Sequence, residues 1–171
     1  MTQPRMETIE DLVSFLKTQH DQLKELLPRV LDASGDKRQQ LFDQVRRTLA
    51  VHEALEQETV HLAAAELAGG ASARMEEESN AEHAIGSLEG AEPDSDEFTD
   101  GFGKLQADVV DHAEHEEGEE FPKLSGELTE VAKARVTEGL RLFGEVDDGS
   151  LTGDTFADMF TGAKRRINEA S

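Results

Sequence analysis

Apolar residues recur along this chain at spacings of three and four, the period of an amphipathic helix, and no stretch alternates in the manner of a half-buried strand. Ile9, Leu12, Leu16, Leu23, Leu27 and Leu31 form one such stripe and predict a first helix over residues 7–31, with His20 inside the stripe. Pro28 is expected to kink or shorten its end. The segment Asp32-Ala33-Ser34-Gly35-Asp36 supplies stop and cap residues together. A second helix is expected over 37–68, ending at Gly69-Gly70, and Ser72 caps a third that runs to residue 89. Residues 90–96 read as a loop. A fourth helix is expected over 97–124, where Phe98, Phe102, Leu105 and Val109 are spaced 4, 3 and 4. Two further amphipathic stretches, 128–146 and 155–170, are separated by Asp147-Asp148-Gly149-Ser150. The basic run Lys164-Arg165-Arg166 suits a helix C-terminus. Long helices with short joints predict an all-α fold. The expected architecture is an up-and-down antiparallel four-helix bundle over 1–126, with additional C-terminal helices over 127–171 packed on the bundle or set in an oligomer interface.

Composition narrows the chemistry. A length of 171 residues fits one domain. Apolar residues make up 36%, enough for a core and against wholesale disorder. Lys and Arg number 17 against 38 Asp and Glu, a formal charge of −21 that repels phosphate backbones and argues against nucleic acid as a partner. With no cysteine, disulfides, zinc–thiolate sites, iron–sulfur clusters and thiol nucleophiles are excluded. No apolar run reaches the roughly 18 residues that a membrane span needs, and the N-terminus carries acids where a signal peptide is apolar. The expectation is a cytoplasmic protein with no membrane partner, either monomer or homodimer.

Six histidines are present, and three of them continue an apolar stripe. Leu16 steps to His20 and Leu23 on the first helix. On the second, Leu41, Val45, Leu49, His52 and Glu56 follow at 4, 4, 3 and 4, and on the fourth Val109 leads into His112 and Glu116. The pairs His52/Glu56 and His112/Glu116 share the pattern His-x-x-x-Glu, which sets its members about 40° apart on a helix, close enough to share one target. An inward imidazole alone is ordinary core, whereas an inward carboxylate needs a counter-charge. With His83 on the third helix, four histidines and two carboxylates converge from four helices. A pair of divalent or trivalent metals suits that set, and nitrogen and oxygen donors without sulfur favour iron or manganese.

The same residues resemble a known family. LVSFLKTQHDQLKELL around His20, VHEALEQE around His52, NAEHAIGSL around His83 and VVDHAEHEEGEEFPKL around His112 are similar to the four motifs of the hemerythrin-like, or HHE cation-binding, domain over residues 8–124. The resemblance implies a non-haem diiron site, with two iron ions in preference to manganese and a bridging oxo, hydroxo or water ligand. His20 and His52 would serve one iron, His83 and His112 the other, and Glu56 and Glu116 would bridge. Oxygen carriers of the family place two histidines four residues apart on the third helix. Here Ser79 and Ser87 flank His83 at that spacing, which counts against reversible oxygen carriage. Glu53 is a candidate extra ligand, as in iron-sensing relatives, and His115 a candidate supporting residue. His61, half a turn away from His52, is not expected to ligate, and Glu82, Glu117, Glu119 and Glu120 read as a hydrated acidic face.

These expectations point to a protein that binds or senses O2, peroxide, NO or iron. A diiron enzyme that disproportionates hydrogen peroxide, catalase-like, is one alternative, and a helical interaction module with weak metal binding is the other. The sequence carries no nucleotide loop and no cysteine for an electron relay.

Overall fold

Thr8 opens the first helix with a reciprocal cap. Its hydroxyl accepts the Asp11 N–H at 3.1 Å while the Asp11 carboxylate accepts the Thr8 N–H at 3.0 Å, satisfying two donors that a helix start leaves over. The computed structural model describes residues 6–60 and 71–170, with the backbone alone over 71–78. Among the described residues the chain is helical. The elements are α1 (Ile9–Asp32), α2 (Gly35–Gln57), α3 (Ala71–Glu89), α4 (Asp96–His115), a π turn (Glu116–Glu120), a 3-10 turn (Phe121–Lys123), α5 (Glu130–Asp148) and α6 (Phe156–Glu169). No strand occurs among them, and one isolated bridge pairs Thr8 with Glu127.

Ser72, expected as a cap, lies inside α3, which already includes Ala71, and three further boundaries differ from the periodicity. α1 runs through Pro28 to Asp32, since a proline one turn from the end removes only one backbone donor. α2 stops at Gln57, where side chains from far along the chain meet its end. Arg135 Nη1 donates to the Glu58 carbonyl at 3.0 Å, and Lys164 Nζ donates to Gln57 Oε1 at 2.8 Å. The remainder of the expected second helix, with His61 and Gly69-Gly70, lies outside the described residues. The expected fourth helix is interrupted after His115 by the π turn, in which the Phe121 N–H reaches the Glu116 carbonyl five residues back. Pro122, with no N–H to offer, follows directly and the chain tightens into the 3-10 turn.

α2 is the hub of the packing. It lies against α1, α5 and α6, while α1 also meets α4, α3 meets α4, and α6 meets both α5 and α3. One continuous apolar cluster joins Leu16, Leu27, Leu55 and Phe102 to Leu142, Met159 and Ile167, so the C-terminal helices share the core of the others. Gly139 makes the α2–α5 approach possible, because a Cβ there would stand 2.7 Å from Leu55 Cδ1. At the opposite end, Arg38 donates to the carbonyls of Leu31, Ala33 and Pro93 at 3.0, 2.7 and 2.8 Å, and the Asp94 carboxylate accepts the Gly35 N–H that starts α2. Arg46 Nη1 reaches Glu89 Oε1 at 2.8 Å, and the same oxygen accepts the Phe156 N–H that starts α6. No described helix is long and apolar enough to cross a membrane.

Candidate metal centre

The helical period carries His20 on α1, His52, Glu53 and Glu56 on α2, and His112 on α4 to one place between the helices, and Glu116, the first residue of the π turn, joins them there. His20 Nε2 lies 3.0 Å from His52 Nε2, 3.3 Å from Glu116 Oε2 and 3.9 Å from Glu56 Oε1. His52 Nε2 is 3.4 Å from Glu56 Oε1. On the other side, His112 Nε2 is 3.2 Å from Glu116 Oε1 and 3.9 Å from Glu53 Oε1. Two groups of donors result, each within 4.8 Å of one another, His20 with His52, Glu56 and Glu116, and His112 with Glu53 and Glu56. Glu56 belongs to both groups, and Glu116 faces one histidine of each with a different oxygen. Both glutamates are 0% exposed.

The His20 ring is fixed on every side. It meets the His52 ring edge-on at 4.8 Å and stacks parallel to Phe121 at 5.9 Å with 6° between the planes. Its Nδ1 lies 2.8 Å from Glu117 Oε1, and that oxygen is 3.7 Å from Lys24 Nζ. Glu117, read from the sequence as part of a hydrated face, therefore touches the cluster. The signal was its adjacency to Glu116 at the turn that Pro122 disturbs.

His83 is placed differently from the sequence expectation. α3 leaves its ring exposed, and its Nδ1 lies 2.6 Å from the carbonyl of Ser79 one turn earlier, so the structure does not bring it to the other histidines. His115 is exposed and lines a cavity of about 240 Å³ with Glu53, His112, Leu49, Ile85 and Phe156. The cavity reaches the His112 side of the cluster from solvent, and α6 supplies one of its walls through Phe156. Glu82 is exposed, as expected.

The donor set fits a metal ion. Carboxylates fully withdrawn from water need positive charge close by, and a divalent or trivalent cation within either group supplies it. Imidazole nitrogen and carboxylate oxygen without thiolate suit iron or manganese, and the second group keeps fewer imidazoles than the first. Neither the curated proteins nor the solved structures return a match to this chain. The family model of the hemerythrin HHE cation binding domain does match, over residues 11–124, which contain every member of the two donor groups, and the chain belongs to that family.

Proposed function

We propose that the protein holds two iron ions between these groups and uses them to bind or sense O2, hydrogen peroxide, NO or iron itself. The scaffold in this reading is an up-and-down four-helix bundle built from α1 to α4 within residues 1–126, and residues 127–171 are an extension packed on it. The observation that carries the reading is the position of the two buried glutamates. Glu56 is common to both donor groups, and Glu116 turns one oxygen toward His20 and the other toward His112. That arrangement suits a pair of cations better than a single one.

In this reading His20 and His52 hold one position, and His112 with Glu53 the other. Bound there, an iron pair supplies redox-active Lewis acid chemistry toward small oxygen and nitrogen species. The chain's own part is to fix the donors, to exclude bulk water through the apolar cluster around them, and to leave the cavity beside His112 as the route for a small molecule. The surplus of acids, −21 overall, favours the arrival of cations. Because the ligands come from three helices, loading ties those helices together, and stability follows metal occupancy.

Metal analysis with an absorption spectrum tests the reading. The expected result is about two irons per chain, with charge-transfer bands in the near ultraviolet. Protein that stays metal-poor after incubation with ferrous iron would overturn it. Sensing further requires that loaded protein melt well above metal-free protein. The catalytic alternative, peroxide disproportionation, draws on the cavity as a substrate route, and it needs oxygen evolution above that of free iron.

A further inference from the structure

We propose that Glu117 is a positioning residue for the metal centre, holding the His20 imidazole in the tautomer that aims its Nε2 lone pair at His52 and Glu116; the inference rests on the reading of this cluster as a metal site. An ionised carboxylate only accepts hydrogen bonds, and a neutral imidazole carries one N–H. The 2.8 Å contact between Glu117 Oε1 and His20 Nδ1 therefore places the proton on Nδ1. Nε2 is then left as the acceptor, facing His52 Nε2 at 3.0 Å and Glu116 Oε2 at 3.3 Å. Of the two ring nitrogens, the one turned to the cluster is the one that can ligate.

Two residues of the π turn and the residue just after it surround this ring. Glu116 stands at Nε2, Glu117 at Nδ1, and the Phe121 ring lies parallel to the imidazole with its centroid 5.9 Å away. The π turn brings them together, with the Phe121 N–H bonded to the Glu116 carbonyl rather than to the next carbonyl along. π turns of this kind concentrate at functional sites, because they re-aim neighbouring side chains. Lys24 Nζ lies 3.7 Å from that same Glu117 oxygen and favours its ionised form. A carboxylate behind a ligating histidine fixes ring and tautomer, and losing such a partner typically costs about 10–100-fold in metal affinity.

The test uses the full chain with cobalt(II) as the probe. In metal-free, histidine-labelled protein, nitrogen NMR should show His20 protonated at Nδ1. Glu117→Ala should lose that signature and bind cobalt(II) about 10–100-fold more weakly in chelator competition. Glu117→Gln, whose amide oxygen still accepts from Nδ1–H, should restore the tautomer and most of the affinity. A merely structural role would move the melting temperature and leave the tautomer alone. A neutral His20 protonated at Nε2 and bare at Nδ1 in the unaltered protein overturns the proposal without any variant. So does a Glu117→Ala protein with tautomer unchanged and affinity within about twofold. Failure of the unaltered protein to bind cobalt(II) or iron at all overturns the metal reading itself, a separate and recognisable result.

Discussion

His20 and His52 point their Nε2 atoms at each other across 3.0 Å, although 32 residues separate them in the chain. Each ring is nearly inaccessible, at 3% and 1% exposure, so the pair lies inside the protein. Two imidazoles converging through the same nitrogen are arranged to share a third partner, and the carboxylates that face those two nitrogens are Glu56 and Glu116.

Glu116→Ala is expected to cost metal on both sides of the cluster, because one carboxylate serves His20 and His112 together. Bound iron should fall from about two per chain to fewer than about one, with circular dichroism still helical. Two irons retained by the variant would show that the glutamate is not shared.

Glu53 and His83 separate the structural arrangement from the one the family resemblance implies. Glu53 sits in the donor group of His112, whereas the exposed His83 is bonded to the Ser79 carbonyl. Glu53→Ala should therefore lower iron content or affinity, and His83→Ala should leave both within about twofold. The opposite result would mean that α3 turns its histidine inward on loading. Metal analysis of the two variants side by side decides it.

Gly139→Ala tests the contact between the C-terminal helices and α2. A helical glycine replaced by alanine normally gains about 1 kcal/mol. Here the new methyl would stand 2.7 Å from Cδ1 of Leu55, a side chain that is 0% exposed, so that side chain must shift within the core. Overpacking of this kind costs about 1–3 kcal/mol. The expected net is a loss, read as a lower urea midpoint, and since Leu55 precedes Glu56 metal affinity should fall with it. An unchanged or higher midpoint would show that the contact yields freely.

Acid should loosen α5 from α6. Arg166 grips the Glu145 carboxylate with two N–H groups at 2.7 and 2.9 Å and reaches Glu138 at 3.1 Å, while Arg141 holds Glu138 at 2.6 Å. The Arg166 hydrogen bonds hold Glu145 below the usual 4.5, and the Arg141 hydrogen bond does the same for Glu138. A lowered folded value means that the stabilisation is complete above the unfolded value of 4.5 and is lost as pH falls through the folded values. Metal-free protein should therefore lose melting temperature steeply below about pH 4.5, and Arg166→Gln should show a lower plateau and a shallower acid slope. Parallel curves for the two proteins would rule the clamp out as the cause.

Much of the site is written in the helical period. Leu16, His20 and Leu23 share a face by spacing alone, as do Leu49, His52 and Glu56, so the inward register of α1 and α2 follows from the sequence. What stays hidden depends on partners far along the chain or on departures from that period. α2 ends at Gln57, where Arg135 and Lys164, 77 and 107 residues from their partners, meet its end. The π turn after His115 breaks the 3.6-residue count, and with it the assignment of Glu117 to solvent. His83 follows a helix with a poor apolar stripe, where period gives little guidance on facing.

The hub position of α2 bears on where this protein can be cut. The family match ends at Leu124, yet Leu55 on the ligand helix and Glu58 just past its end are covered and tied by Gly139, Arg135 and Lys164 from beyond that residue. A fragment trimmed to the family boundary would bare an oily seam along the helix that carries His52 and Glu56, and unfilled seams of that sort invite aggregation. The matched span and the mechanically complete unit stop at different residues in this chain.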